Sequence, residues 1–318
     1  MAKFRENCYE FHPPATNNRL VAVADVHGDL TRLKQILIHA GLIKSDGTWA
    51  GGSQTLVLLG DMIDRTPADT APEEAFLYAR QLQSQAKRAG GQVVRLLGNH
   101  ELMLLQGELF HFFTSAGFGT KQRSLVLHLT NLIREDILKE KLCASFVSGD
   151  VLFSHAGLRS NVRQFIKRQS HIFNQYTSTQ FEKNDKSQSH ILELMINKTL
   201  QEAVEHHNYS HPIFWIGKAR GGDKEVGGIF WTDFTLELYP SIGAKRIRQV
   251  VGHTPKGLKG HIVLDKQGNW RIICMDTAIS RGYGPIGFPS YLEMDKGVVR
   301  IWRQKPSSRT WNMVKEFS

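Results

Sequence analysis

Cysteine is scarce in this chain. Only Cys8, Cys143 and Cys274 occur, odd in number and far apart. They lack the paired spacing of a disulfide framework, so reduced thiols are expected. No uninterrupted apolar run approaches the roughly 20 residues that a membrane-spanning helix needs, so no membrane association is expected. Residues Met1 to Arg19 are polar, carry Pro13-Pro14 and lack the apolar core of a signal peptide, so a cytoplasmic setting is expected. No internal repeat and no Pro/Gly linker divides the 318 residues, and a single domain over 1–318 is expected. Acidic residues are outnumbered, 30 Asp and Glu against 40 Lys and Arg, for a formal charge of +10. A basic balance suits an anionic partner. The longest basic cluster, however, is only Lys245-Arg246-Ile247-Arg248, with no regularly spaced aromatics among basic tracts. That argues against nucleic acid and leaves a smaller phosphorylated partner.

What the chain does have is a series of short apolar runs that each end in metal-binding side chains. Leu20 to Ala24 leads into Asp25-Val26-His27-Gly28-Asp29. Thr55 to Leu59 leads into Gly60-Asp61-Met62-Ile63-Asp64-Arg65, and Val93 to Leu97 into Gly98-Asn99-His100-Glu101. Further on come Phe153-Ser154-His155-Ala156-Gly157 and Val250-Val251-Gly252-His253-Thr254. Such runs read as buried strands, and their carboxyl ends are where ligand sites of open α/β folds gather. Between them, Asp29 stands where a helix N-cap belongs, with Leu30, Leu33, Ile36 and Leu37 at helical spacing. Asp69 to Arg88 reads as a second helix stopped by Gly90-Gly91. Strand, helix, strand, helix, strand indicates parallel pairing. Two largely helical regions, about 102–150 and 159–212, bracket the strand before His155 and are expected to form a helical cap beside the site. From Ile213 the chain turns strand-rich: Ile229 to Trp231, Arg248 to Val251, His261 to Leu264, Arg271 to Met275 and Ser290 to Met294, expected as a second sheet on the first.

Asp25 and His27 are two apart, so on a strand end both can face the same side. Asp61 adds a carboxylate whose two oxygens can bridge two cations. Asn99 offers an amide oxygen, and His155 and His253 add imidazoles. This mixed nitrogen and oxygen set suits two divalent ions of Mn, Fe or Zn better than Ca or Mg, and without thiolate it does not favour a structural zinc site. Two cations about 4 Å apart can hold a bridging hydroxide and clamp an in-line displacement at phosphorus. Arg65 is placed to take phosphate oxygens in its fork. His100 is suited to protonate the leaving oxygen, with Asp64 orienting the imidazole and raising its pKa. Glu101 is expected to hold the strand-to-helix corner. Singly, each residue has a duller role, as helix cap, core histidine or common loop. Five units of one form in one order are not explained that way. His206, His207 and His211 read as a solvated face, and Trp231, Thr232 and Asp233 are candidates to line the site.

The ordered set Asp-x-His-Gly, Gly-Asp-x-x-Asp-Arg, Gly-Asn-His-Glu, His-Ala-Gly and Gly-His-Thr resembles the calcineurin-like metallophosphoesterases. More narrowly, it resembles the phosphoprotein phosphatase family that includes the Ser/Thr phosphatases. The run Leu96 to Met103, continuing to Gly107-Glu108 and preceded by Ala89-Gly90-Gly91, is similar to the Shewanella-like phosphatase branch. The resemblance covers about residues 20–110, 150–160 and 228–280. It implies an α/β fold, a four-layer β-sandwich flanked by helices. It also implies one metal held by Asp25, His27 and Asp61, and a second by Asp61, Asn99, His155 and His253. Phosphate would be held by Arg65 with Asn99 and His100, and His100 with Asp64 would handle protons. The chain departs from the pattern at Ala24 and Thr66, where the family usually has Gly. It also has Asp233 where a second phosphate-binding Arg would be sought, and Arg220, or else Arg246 or Arg248, is expected to take that part.

The expected function is a metal-dependent phosphoester hydrolase acting on a phosphorylated protein or a small phosphoester. The alternatives are a dinucleoside polyphosphate hydrolase of the diadenosine tetraphosphatase kind and, less favoured, an inactive phosphate-binding scaffold on the same fold. A cysteine-based phosphatase needs Cys, five residues, then Arg. After Cys274 that place holds Ser280, with Arg281 one position late, which rejects that class.

Overall fold

Short apolar runs without polar alternation make strands that are covered on both faces. The computed structural model describes residues 18–108, 120–160, 162–164, 185–241, 247–256, 261–305 and 308–318. Its elements are β1 (Leu20–Val23), α1 (Leu30–His39), β2 (Thr55–Leu58), α2 (Glu74–Arg88), β3 (Gln92–Leu96), α3 (Asn99–Gln106), α4 (Thr120–Leu138), β4 (Leu142–Cys143), β5 (Ser145–Ser148) and β6 (Val151–Ser154). They continue as α5 (Asp185–Glu205), β7 (Arg248–Val251), β8 (His261–Leu264), β9 (Trp270–Cys274), β10 (Ser290–Asp295), β11 (Val298–Gln304) and β12 (Trp311–Phe317).

The strands form two sheets. The first runs β12-β11-β10-β1-β2-β3-β4, with β1 to β4 parallel. The second runs β5-β6-β7-β9-β8, with β6, β7 and β9 parallel at its centre. Leu20, Ala22 and Ala24 turn inward with Val57, Leu59, Val94 and Leu96, and meet Phe146, Phe153, Val250 and Ile273 of the second sheet. The alternate residues Val21, Val23, Leu56 and Leu58 face Leu33, Ile36 and Leu37 of α1 and Phe76 and Leu82 of α2. Burying one such side chain contributes about 1.5–3 kcal/mol. A one-residue slip would exchange the two faces, so the register is firmly set. Phe234 and Leu238 cover the far face of the second sheet through Val251, Ile272 and Cys274. Helices, sheet, sheet and helical turn make the four layers of the expected α/β sandwich.

Local chemistry sets the helix ends. Asp29 caps α1 by accepting from Arg32 N at 3.1 Å. After α2, Gly90 takes φ 77 and Gly91 N returns to Ala86 O at 2.8 Å, which closes the last turn. Buried Arg95 of β3 pairs with Asp136 of α4 at 2.7 Å, and Arg80 of α2 pairs with the same carboxylate at 2.8 Å. That network fastens α2, β3 and α4 together. Helices α4 and α5 pack on each other, α4 also on α3 and β4, and α5 on β5. Residues 109–119 and 165–184 of the expected cap segments lie outside the described residues.

Three expectations about elements change. The helix expected from Asp69 starts at Glu74, so Pro72 precedes it. Ile229 to Trp231 forms a turn, with Trp231 N donating to Gly228 O at 3.0 Å. Ser290 to Met294 belongs to the first sheet, antiparallel to β1 with Leu20 opposite Met294. A short apolar run specifies a strand, whereas which sheet it joins depends on distant packing.

Candidate metal centre

Strands β1, β2 and β3 of the first sheet and β6 and β7 of the second end at one rim, and face-to-face packing brings their termini together. Asp25 and His27 follow β1, Asp61 follows β2, Asn99 opens α3 after β3, His155 follows β6 and His253 follows β7. All six are buried, the most exposed being His253 at 8%. The chain bends sharply to aim them. His27, Asp61, Asp64, Arg65 and His253 all have positive φ, between 45° and 68°. Such conformations cost on the order of 1–3 kcal/mol each and cluster at functional sites. Gly252 is required by close approach, because a Cβ there would lie 2.1 Å from Asp25 Oδ2. Ala24 and Thr66 have no positive φ, so their side chains add no backbone strain.

Three of the ligand atoms converge closely. Asn99 Oδ1 lies 2.8 Å from both His155 Nε2 and His253 Nδ1, and these two nitrogens are 3.1 Å apart. Asp61 Oδ2 stands 3.5 Å from His155 Nε2. His155 Nδ1 faces the Leu59 carbonyl at 2.8 Å, so it carries the proton and leaves Nε2 as a bare lone pair. Burial lowers the pKa of both His155 and His253, which keeps them neutral. Several acceptors thus face one another with at most one hydrogen among them, and among the described residues buried His253 Nε2 has no hydrogen-bond partner. Cis ligands around a cation with bonds of about 2.1 Å sit about 3 Å apart, so these residues fit a divalent ion.

The other side of Asp61 is built similarly. Its Oδ2 lies 3.7 Å from His27 Nε2 and 3.8 Å from His100 Nε2. His27 Nδ1 faces the Ile63 carbonyl at 3.3 Å, which turns Nε2 toward the site. Burial works to raise the Asp61 carboxyl, but the imidazoles of His155, His100 and His27 outweigh it and hold it below the usual carboxylate range. Asp25 is pushed well up, by burial first and then by the charges of Asp276 and Asp61. Both its oxygens accept from His253 N, at 2.9 and 3.1 Å. Among the described residues, ligand atoms of His27, Asp61 and His100, and of Asp61, His155 and His253, each lie within 4.8 Å of one another. His100 therefore stands in the group where Asp25 was expected.

His100 nonetheless has a partner of its own. Its Nδ1 lies 2.6 Å from Asp64 Oδ2. Burial would lower the imidazole, but the Asp61 charge and the hydrogen bond to Asp64 raise it. A histidine held toward its charged form is better suited to give a proton than to bind a metal. Glu101 does hold the corner: its carboxylate accepts from Gly98 N and Asp61 N, both at 2.9 Å, and from Met62 N at 2.7 Å.

Residues 18–257 match the family model for calcineurin-like phosphoesterases. The chain belongs to the calcineurin-like phosphoesterase family. Members of this family depend on a dinuclear metal centre. The chain is similar to Shewanella-like protein phosphatase 2 of Arabidopsis thaliana, 38% identical over 99 residues, which are 31% of this chain and 24% of that one. It is also similar to Shewanella-like protein phosphatase 1 of Plasmodium berghei, 34% identical over 91 residues, or 29% of this chain and 24% of that one. The matched stretches span about a quarter of the length of these curated relatives. A crystal structure of a cold-active protein tyrosine phosphatase from a psychrophilic Shewanella superposes with a TM-score of 0.57 at 22% identity, over 94% of this chain and 81% of that one. A point mutant of a cold-active protein tyrosine phosphatase gives 0.61 at 21% identity, with the same coverage. These structures share the fold.

Around the candidate centre lie residues that sequence patterns did not single out. Tyr283 donates to His27 Nε2 at 2.9 Å and accepts from Arg65 Nη1 at 2.7 Å. Its loop is fastened by Arg281, whose Nε donates to Asp29 Oδ2 at 2.8 Å. Nothing in the local sequence marks Tyr283, since only the return of a distant loop brings it to His27. Trp231 packs edge-on against His253 at 5.8 Å. Among the arginines, Arg220 donates to Thr254 Oγ1 and pairs with Asp233 at 3.1 Å. Asp233, where an arginine was sought, instead orients one from another loop. Arg248 is committed elsewhere, bidentate on Asp150 at 2.9 and 2.6 Å and stacked over Trp270. Arg246 lies outside the described residues.

Proposed function

We propose that this phosphoesterase hydrolyses phosphorylated protein side chains with two divalent cations, Mn favoured, held by Asp25, His27, Asp61, Asn99, His155 and His253. The observation that carries this is the buried convergence of Asn99 Oδ1, His155 Nε2 and His253 Nδ1 on Asp61 Oδ2, beside the His100–Asp64 pair. The bound cations would supply a nucleophile at neutral pH and neutralise charge at phosphorus. The chain's own residues do the rest. Exposed Arg65 at the mouth takes phosphate oxygens once Tyr283 yields its guanidinium. Arg220, aimed by Asp233, takes others, with Asn99 and His100 facing the same group. His100 gives its Nε2 proton to the leaving oxygen while Asp64 holds Nδ1. The resemblance to Shewanella-like protein phosphatases supports a phosphoprotein substrate over a dinucleotide. Cys143 and Cys274 are free thiols, which suits a reducing, cytoplasmic setting.

The deciding experiment is turnover by the Mn-loaded protein of p-nitrophenyl phosphate, phosphopeptides and diadenosine tetraphosphate. Phosphopeptide hydrolysis that is lost on chelation is expected. Preference for the dinucleotide would move the assignment to the polyphosphate hydrolases, and no turnover of any substrate would leave a phosphate-binding scaffold.

Arg220 gives a separate prediction. Loss of an Arg–phosphate pair costs on the order of 1.5–3 kcal/mol. Arg220→Ala should therefore lower kcat/KM for phosphopeptides by about 10- to 150-fold, with metals retained and phosphate inhibition weakened. Unchanged kcat/KM together with unchanged phosphate inhibition would rule out the clamp.

A further inference from the structure

A sixth strand end opens on the same rim. In the second sheet Phe153 lies opposite Val250, and Val251 opposite Cys274. Strand β6 delivers His155, and β7 delivers His253 two residues past Val251. The pairing continues one step beyond β9, with Met275 N donating to Val251 O at 2.7 Å. Asp276 stands two residues past Cys274, as His253 stands two residues past Val251. Asp276 is 1% exposed. Its Oδ1 accepts from Ala278 N at 2.9 Å, an ordinary turn contact. Its buried Oδ2 has no hydrogen-bond partner among the described residues. Among the described residues no lysine or arginine pairs with it: Arg220 is on Asp233 and Arg65 on Tyr283. Asp25 and Asp61 lie within electrostatic reach. The turn accounts for one oxygen. A second carboxylate oxygen, buried beside two other carboxylates, is costly unless the carboxyl takes a proton or a cation comes to it.

We propose that Asp276 is a further residue of the metal centre, whose unpartnered Oδ2 serves one of its two cation positions. The proposal rests on the ligand set assigned above. Three carboxylates offset most of the charge of two dications yet leave the pair net positive, which suits a phosphate dianion. Asp276 is then a positioning and charge-setting residue that need not touch substrate.

The test is Mn²⁺ binding by calorimetry to chelator-stripped wild type, Asp276→Asn and Asp276→Ser, with melting temperatures measured with and without Mn²⁺. Asn keeps an oxygen for Ala278 N and removes only the charge. Wild type should bind two Mn²⁺. Both variants should bind one as wild type does and the other about 10- to 100-fold more weakly, the loss typical of residues that support a metal ligand. Without Mn²⁺, Asp276→Asn should melt at or above wild type, because a like charge has left the carboxylate cluster; with Mn²⁺ it should gain less than wild type does. Unchanged Mn²⁺ affinities, equal weakening at both positions, or a melting temperature lowered equally with and without Mn²⁺ would each overturn the proposal and leave Asp276 a turn residue. A wild type that binds no Mn²⁺ would instead remove the ligand set, and this proposal with it.

Discussion

Asp61→Asn is expected to empty both cation positions at once. Asp61 Oδ2 faces His27 Nε2 at 3.7 Å on one side and His155 Nε2 at 3.5 Å on the other, so one oxygen serves both sides of the centre. Its Oδ1 is occupied, accepting from His100 N at 3.0 Å. The amide keeps the shape but loses the charge that two dications share, and its nitrogen cannot replace an acceptor. Elemental analysis of the purified variant should find neither ion tightly held. His253→Ala is the comparison, since the His253 ring nitrogen Nδ1 meets ligand atoms of Asn99 and His155 and its loss should weaken one position. Two tightly held ions in Asp61→Asn would sink the bridging role.

The second large effect belongs to His100. If it gives the proton, His100→Asn should cut kcat on phosphoserine peptides by roughly 10²- to 10⁴-fold. Metal content should remain near wild type, which also separates this role from that of a ligand beside His27 and Asp61. The loss should be smaller on p-nitrophenyl phosphate, whose leaving group needs little protonation. Loss of metal, or equal losses on both substrates, would assign His100 to the cation instead. Asp64 adds a pH signature. The Asp61 charge and the hydrogen bond to Asp64 raise His100 against burial. His100 acts in its charged form, so activity falls as pH rises through its pKa. Asp64→Asn lowers that pKa and should move the descending limb of the pH–rate profile to lower pH.

Much of the centre was legible along the chain because strand-end chemistry is written locally. An apolar run of four or five residues followed by Asp, Asn or His identifies both a buried strand and what it delivers. Asp25, His27, Asp61, Asn99, His155 and His253 could therefore be named without coordinates, and the structure brings them together. The same form was present at Ile272-Ile273-Cys274-Met275-Asp276, but a single Asp after a strand also reads as a turn, and only the orphaned Oδ2 distinguishes the two. Tyr283 had no local signal. The partnership of Arg220 with Asp233 was hidden because Asp233 alone looked like a missing arginine.

The sequence by itself determined the strand ends, their order, the Asp29 cap of α1 and the chemistry of each ligand, since these depend on covalent spacing and side-chain type. Tertiary structure decided which of those ends meet, that β10 completes the first sheet beside β1, and that the loop bearing Tyr283 closes over His27 and Arg65. It also decided that Asp276 Oδ2 is buried without a hydrogen-bond partner among the described residues and that Arg248 turns away to Asp150. Those outcomes depend on two sheets burying their inner faces against each other. That packing couples residues more than two hundred positions apart, so no window along the chain contains it.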